Sequence, residues 1–205
     1  MINTLIFDFG DVFINLNKQA TMASIWSRYP DFKLNSQIEE INNQYETGHI
    51  STTDFVNFYC SYFKTTDRLF LIEAWNSIIL DFPQNRMRFI EELRRQGQFQ
   101  LILLSNTNAL HIERVKENMT IERYQQFKSC FDVFYLSHEI GFRKPDANIF
   151  KFVLNQNNLM ANECFYVDDT LEHINSANQL GINTWHLNPE EDEITDLFIK
   201  FKHFF

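Results

Sequence analysis

The chain has 205 residues, 44% of them hydrophobic, with only 5 glycines and 4 prolines, which is the composition of an ordered globular protein and excludes a disordered or fibrous one. Its formal net charge is −9 and no cluster of Lys or Arg is dense enough to neutralise a phosphate backbone, so nucleic acid is excluded as an expected partner. No window approaches the ~18 uncharged apolar residues of a membrane span, and no basic start followed by a long apolar stretch marks a signal peptide, so a cytoplasmic location is expected.

The first predicted strand, Leu5 to Phe9, carries Asp8 near its end, followed by Gly10 and Asp11. From about Asn17 to Pro83 no strand-like run occurs, and the pattern is of several amphipathic helices broken near Pro30, Gly48 and Thr65-Thr66. Beyond it, strands are predicted at Phe99 to Leu104, Val133 to Leu136, Cys164 to Val167 and Asn183 to His186. Helical patterns cover Arg86 to Gln96, Ala109 to Asn118, Ala147 to Asn157 and Leu171 to Leu180; the first and last close on Gly97 and Gly181. Strands alternating with helices predict an α/β fold with a parallel, doubly wound sheet. The chain then divides into a core of residues 1–16 and 84–205 and a small helical insertion, 17–83, placed to close over the carboxyl edge of the sheet and choose the substrate. The 22 phenylalanines predict an aromatic core, and Cys60, Cys130 and Cys164, without metal-type spacing, are expected to be free structural thiols.

Four predicted strand ends carry chemistry. Asp8 would sit at the sheet edge where open α/β folds hold their ligands. Ser105 and Asn106 follow the second strand, where a hydroxyl and free backbone N–H groups suit an anion, although a serine there also suits a helix cap. Lys144 precedes Pro145 in the Gly141-Phe-Arg-Lys-Pro turn, which keeps it out of the next helix and in a fixed loop. Asp168 and Asp169 are adjacent carboxylates, costly side by side unless a cation or a proton neutralises them, and oxygen ligands without His or Cys favour Mg²⁺ over zinc.

In this order the four groups resemble the motifs of the haloacid dehalogenase superfamily of hydrolases, a Rossmann-like parallel sheet core with an inserted cap. The stretches Ser105-Asn-Thr-Asn108, Leu136-Ser-His-Glu-Ile-Gly-Phe-Arg-Lys-Pro145 and Asp168-Asp169 with Ile174, Ala177 and Leu180-Gly181 are similar to the subgroup holding small sugar-phosphate phosphatases and the amino-terminal phosphatase domain of epoxide hydrolases. Tyr45-Glu-Thr-Gly-His-Ile-Ser51 resembles that subgroup's helical cap. The resemblance implies Asp8 as the nucleophile that carries a phosphoryl group, Ser105 and Asn106 as phosphate holders, and Lys144 as the cation neutralising both phosphate and Asp8. It implies Mg²⁺ held by Asp8, the Gly10 carbonyl and Asp169, with Asp168 supporting that shell.

One departure stands out, because the superfamily's phosphatases usually carry a second Asp, a general acid, where this chain has Gly10. Asp11 is expected to shape the turn, and His173, at a place where relatives tend to have Asp or Asn, is left outside the metal set. In the insertion, His49 is a candidate specificity contact, and Trp75 is expected to serve helix packing. The expected function is a Mg²⁺-dependent phosphatase of a small phosphorylated metabolite, such as a sugar phosphate, working through an aspartyl phosphate. A metal-independent 2-haloacid dehalogenase and a phosphate-binding protein with impaired turnover are the alternatives.

Overall fold

The computed structural model describes residues 1–205. Five strands, β1 (Thr4–Phe7), β2 (Gln100–Ser105), β3 (Val133–Leu136), β4 (Cys164–Asp168) and β5 (Asn183–His186), form one sheet in the order β3-β2-β1-β4-β5. Every pairing is parallel. A parallel sheet is covered on both faces, which is why its strands read as continuous apolar runs. Leu5 and Phe7 of β1 point into a cluster of 27 buried residues, and Ile6 between them points into a cluster of 11 on the other face.

Helices α1 (Ala20–Arg28), α2 (Ser36–Glu46), α3 (Thr52–Phe63) and α4 (Arg68–Asn76) all lie between β1 and β2 and share a separate cluster of nine buried residues, Ile38, Tyr45 and Phe55 among them. The next helices, α5 (Gln84–Gln96), α6 (Ala109–Met119) and α7 (Ile121–Ser129), cover the larger sheet cluster through Ile90, Val115 and Phe127. After β3 come the single turn α8 (Ser137–Ile140) and α9 (Ala147–Gln156), and after β4 comes α10 (Leu171–Gln179). Ile149 of α9 and Ala177 of α10 fill the smaller cluster, while the C-terminal α11 (Leu197–Lys200) returns to the larger one.

The aromatic core is built around Phe127, whose ring lies 5.1 Å from Phe13, 5.0 Å from Phe82 and 5.0 Å from Phe131. All three cysteines are free thiols. No helix is long and apolar enough to cross a membrane.

Two differences from the predicted elements have local causes. Strand β1 ends at Phe7 rather than Phe9: Asp8 still donates its N–H to Val167 at 2.9 Å, but the chain then turns through Asp11, whose φ is +53°. Helix α7 falls outside the predicted elements. It follows α6 after the single residue Thr120, at φ +71°, whose hydroxyl accepts the Arg123 N–H and so starts a second short helix.

Candidate active site

The strand order reverses at β1, whose neighbours are β2 on one side and β4 on the other, and the carboxyl ends of β1 and β4 open on the crevice where such sheets bind ligands. Asp8, one residue past β1, and Asp168, the last residue of β4, face each other there across Lys144. The Lys144 side chain is fully buried, and its Nζ lies 2.6 Å from Asp8 Oδ1, 2.7 Å from Asp168 Oδ2 and 2.8 Å from the Leu104 carbonyl. An ammonium has three protons, and these three acceptors take all of them.

Lys144 is aimed by its backbone. Asn106 accepts the Lys144 N–H at 2.9 Å and donates its own amide to the Lys144 carbonyl at 2.8 Å, locking the loop after β3 to the end of β2. Beside it, Ser137 Oγ accepts the Thr107 N–H and donates to the Thr107 carbonyl, both at 2.9 Å. The Lys144–Pro145 peptide bond is cis. Ser105 does not cap the following helix: Asn108 does, accepting the His111 N–H at 3.1 Å, and the Ser105 hydroxyl remains at the cleft.

Asp168 is held from four sides, by Lys144, the Tyr166 hydroxyl, His173 Nδ1 at 3.0 Å and the Thr170 N–H at 2.7 Å. Burial would raise its carboxyl, but Lys144 and His173 together hold it well below the ordinary carboxylate range. Asp8 goes the other way: burial raises it, Lys144 opposes, and the charges of Asp168 and Asp169 add to the rise. For Lys144, burial is outweighed by the two carboxylates and the ammonium stays charged. Asp169 faces away from this network and pairs with Lys18, which also lies 2.9 Å from Asp11.

Oxygens of Asp8, Asp168 and Asp169 lie within 4.8 Å of one another. This all-oxygen set fits a hard divalent cation, and Asp169 already holds a cationic group, the Lys18 ammonium. With Asp168 engaged by four donors, Asp8 and Asp169 are the two carboxylates left to ligate. Asp11 holds the turn, its Oδ1 accepting the Leu16 N–H at 2.9 Å. A Cβ built on Gly10 would lie 2.7 Å from Leu16 Cδ1, so Leu16 fills the space that a second aspartate would need.

A cleft of about 490 Å³ opens beside this centre, half of its lining apolar, Leu16, Ile78 and Ile79 among it, and the polar part including Ser105, Asn106 and Glu46, the last at the end of α2. Arg143, one residue before Lys144, binds Glu46 Oε2 through Nε at 3.0 Å and Nη2 at 2.9 Å. Burial raises the Glu46 carboxyl, while Arg143 and His173 pull against the rise. Helices α2 and α4 are seated on the core close by. A Cβ on Gly48, φ +70°, would stand 2.0 Å from the His138 carbonyl, and Tyr45 Oη accepts the Leu110 N–H at 3.2 Å. Trp75 donates to Asn108 Oδ1 at 3.3 Å and stacks on His111 with centroids 5.3 Å apart. Trp75 also lines a second cavity of about 510 Å³ among α1–α4, which is almost wholly apolar.

Asp8, Ser105, Asn106, Lys144, Asp168 and Asp169 thus converge, with the Gly10 backbone at the same edge. His49 does not join them: it is exposed and bound to Thr47 Oγ1 at 2.8 Å. Sequence reasoning missed Lys18, Glu46, Arg143 and Tyr166. The last three lie inside or next to stretches it singled out, Glu46 in Tyr45-to-Ser51, Arg143 beside Lys144 and Tyr166 two residues before Asp168, but their partners are distant in the chain or were not suspected.

The sequence profile of the haloacid dehalogenase-like hydrolases matches residues 5–186. A D-ribitol-5-phosphate phosphatase of Bacteroides thetaiotaomicron is 23% identical over 192 residues, which are 90% of this chain and 91% of that protein. A sesquiterpene phosphatase of Aspergillus oryzae is 31% identical over 106 residues, 51% of this chain and 50% of that protein. Among solved structures, a HAD family enzyme of Bacteroides thetaiotaomicron, crystallised as an aspartate-to-alanine mutant with magnesium and inorganic phosphate, has a TM-score of 0.82 at 27% identity and covers 94% of this chain and 96% of that one. A match over most of the chain, with the strand order and strand-end residues described above, makes this protein a member of the haloacid dehalogenase-like hydrolases.

Proposed function

We propose that the protein is a Mg²⁺-dependent phosphatase of small phosphate monoesters that works through an aspartyl phosphate on Asp8. The observation that carries this reading is the fully buried Lys144 bridging Asp8 and Asp168 beside the Asp169 carboxylate, which already holds a cation, the Lys18 ammonium. Phosphoryl transfer needs an in-line nucleophile and neutralisation of charge on the transferred group, and this constellation offers both. Phosphatases among its relatives and a magnesium- and phosphate-bound structural neighbour support it.

Lys144 occupies Asp8 Oδ1, which leaves Oδ2 as the attacking atom. It forms a bond to phosphorus as the ester P–O bond breaks and the alkoxide departs, taking a proton from water. Water then cleaves the acyl phosphate, releasing inorganic phosphate and restoring the Asp8 carboxylate. Ser105 Oγ and the Asn106 backbone N–H bind phosphoryl oxygens, and the Asn106 side chain keeps them in register with Lys144. Asp8, Asp169 and the Gly10 carbonyl would hold Mg²⁺, which would supply further charge neutralisation. Asp168 holds Lys144 rather than the ion. Residues 17–83 act as a cap over a core made of 1–16 and 84–205, shielding the acyl phosphate from bulk water and contacting the alcohol half of the substrate.

The test is hydrolysis of p-nitrophenyl phosphate by wild type and Asp8→Asn, each with Mg²⁺ and with EDTA, alongside a thermal melt. Metal-dependent turnover absent from the variant is expected, with Mg²⁺ raising the melting temperature of wild type but not of Asp169→Asn. Turnover that persists in Asp8→Asn would refute the assignment of the nucleophile.

A further inference from the structure

We infer that Glu46 recognises a hydroxyl group on the alcohol half of the substrate, so that this site takes phosphate monoesters of polyols and sugars in preference to those of apolar alcohols. The inference rests on the phosphatase reading and narrows it. With the phosphoryl end held at Asp8, Ser105 and Lys144, the alcohol half has to lie in the adjoining cleft. Glu46 is the sole charged side chain in the lining of that cleft, which Ser105 also lines, and it belongs to the insertion, at the end of α2.

Its two oxygens have different roles. Oε2 is held by the Nε–H and the guanidinium charge of Arg143, in the same loop that carries Lys144, whereas Oε1 has no hydrogen-bond partner in the protein, and the side chain keeps 24% exposure. The carboxylate is therefore fixed relative to the catalytic lysine and presents one free acceptor. Its seat is rigid, because Gly48 packs directly on the His138 carbonyl and Tyr45 is bound to the start of α6.

A free charged acceptor discriminates in one direction. A substrate hydroxyl satisfies it, whereas an alkyl or prenyl group in the same place strips its water and offers nothing in return; sites built to bind a hydroxyl reject analogues lacking it far more strongly than apolar pockets reject an added one. The apolar cavity among α1–α4 is the natural place for a prenyl tail, but the stacked pair of Trp75 and His111 stands between its lining and that of the cleft.

The experiment compares kcat/KM for ribitol 5-phosphate, glucose 6-phosphate, farnesyl monophosphate and p-nitrophenyl phosphate in wild type, Glu46→Ala and Glu46→Gln, with a melt on each variant to establish folding. The better of the two polyol substrates should exceed farnesyl monophosphate in wild type. Its kcat/KM relative to p-nitrophenyl phosphate should fall roughly 10- to 100-fold in Glu46→Ala, the loss of one hydrogen bond to a charged group. Glu46→Gln, which keeps an acceptor oxygen, should fall less. An equal loss on every substrate would overturn the inference, making Glu46 only a tie between insertion and core through Arg143. A preference for farnesyl monophosphate unaffected by either variant would also overturn it. Wild type inert on all four would overturn the phosphatase reading itself, and this inference with it.

Discussion

Gly10 stands where related phosphatases usually place a general acid, and the structure gives a steric reason that can be measured. A methyl group at this position would meet Leu16 Cδ1 at 2.7 Å, whereas carbon atoms in contact prefer about 3.5–4.0 Å, so the end of Leu16 has to retreat by roughly 1 Å. The φ of Gly10 lies outside the left-handed region, so the backbone adds no strain of its own. Overpacking of this kind costs about 1–3 kcal/mol, offset by the roughly 0.4–1 kcal/mol that alanine gains over glycine through the unfolded chain. Gly10→Ala is therefore expected to destabilise by about 1–2 kcal/mol. In a Leu16→Ala background the clash is gone, and the same change should be neutral or stabilising. Urea denaturation of the four proteins forms a double-mutant cycle with an expected coupling of at least about 1 kcal/mol. Additivity to within about 0.5 kcal/mol would refute the claim that Leu16 occupies the place of the missing side chain. The relieved background also permits a kinetic readout. Because general acid–base help is worth about 10²–10⁴ in rate, Gly10→Asp with Leu16→Ala should turn over an alkyl phosphate at least about tenfold faster than Gly10→Asn with Leu16→Ala. Equal rates would show that leaving-group protonation does not depend on this position.

Replacing Lys144 by Met removes the ammonium shared by two buried carboxylates and strands the Leu104 carbonyl; breaking a buried ion pair by deleting one partner costs about 3–5 kcal/mol, read by chemical denaturation, and a loss below about 1 kcal/mol would show that the network is not structural. His111 predicts an acid sensitivity. Its Nε2 donates to the Trp75 carbonyl at 3.2 Å and its Nδ1 accepts from Asn108 at 3.1 Å, a bonding pattern that only the neutral ring satisfies, and burial pushes its pKa down from 6.5 to about 4. Above pH 6.5 both folded and unfolded rings are neutral and the stability is fully present. As pH falls towards 4 only the unfolded ring takes up a proton, and about 3 kcal/mol is lost. His111→Phe should flatten the melting curve between pH 7 and 4 accordingly; identical slopes in variant and wild type would refute the assignment.

The candidate site was legible because most of its residues stand where apolar runs stop. Asp8, Ser105 and the Asp168-Asp169 pair stand at the ends of buried strands and Lys144 in the loop beyond β3, and a parallel sheet brings all such ends to one edge whatever the details of packing. The insertion was legible for the complementary reason, as a stretch with helical periodicity and no strand. Other features needed the folded chain. Glu46 and Arg143 are 97 residues apart, and Lys18 and Asp169 are 151 apart, distances over which no local pattern carries information. Asp168 and Asp169 looked equivalent in sequence, but alternation along β4 turns Asp168 into the Lys144 network and leaves Asp169 at the open edge. The absence of an aspartate at position 10 could be read directly, whereas the presence of Leu16 in its place could not. Periodicity thus determined which residues reach the edge of the sheet, and long-range packing decided which of their atoms are engaged and which are left free for chemistry.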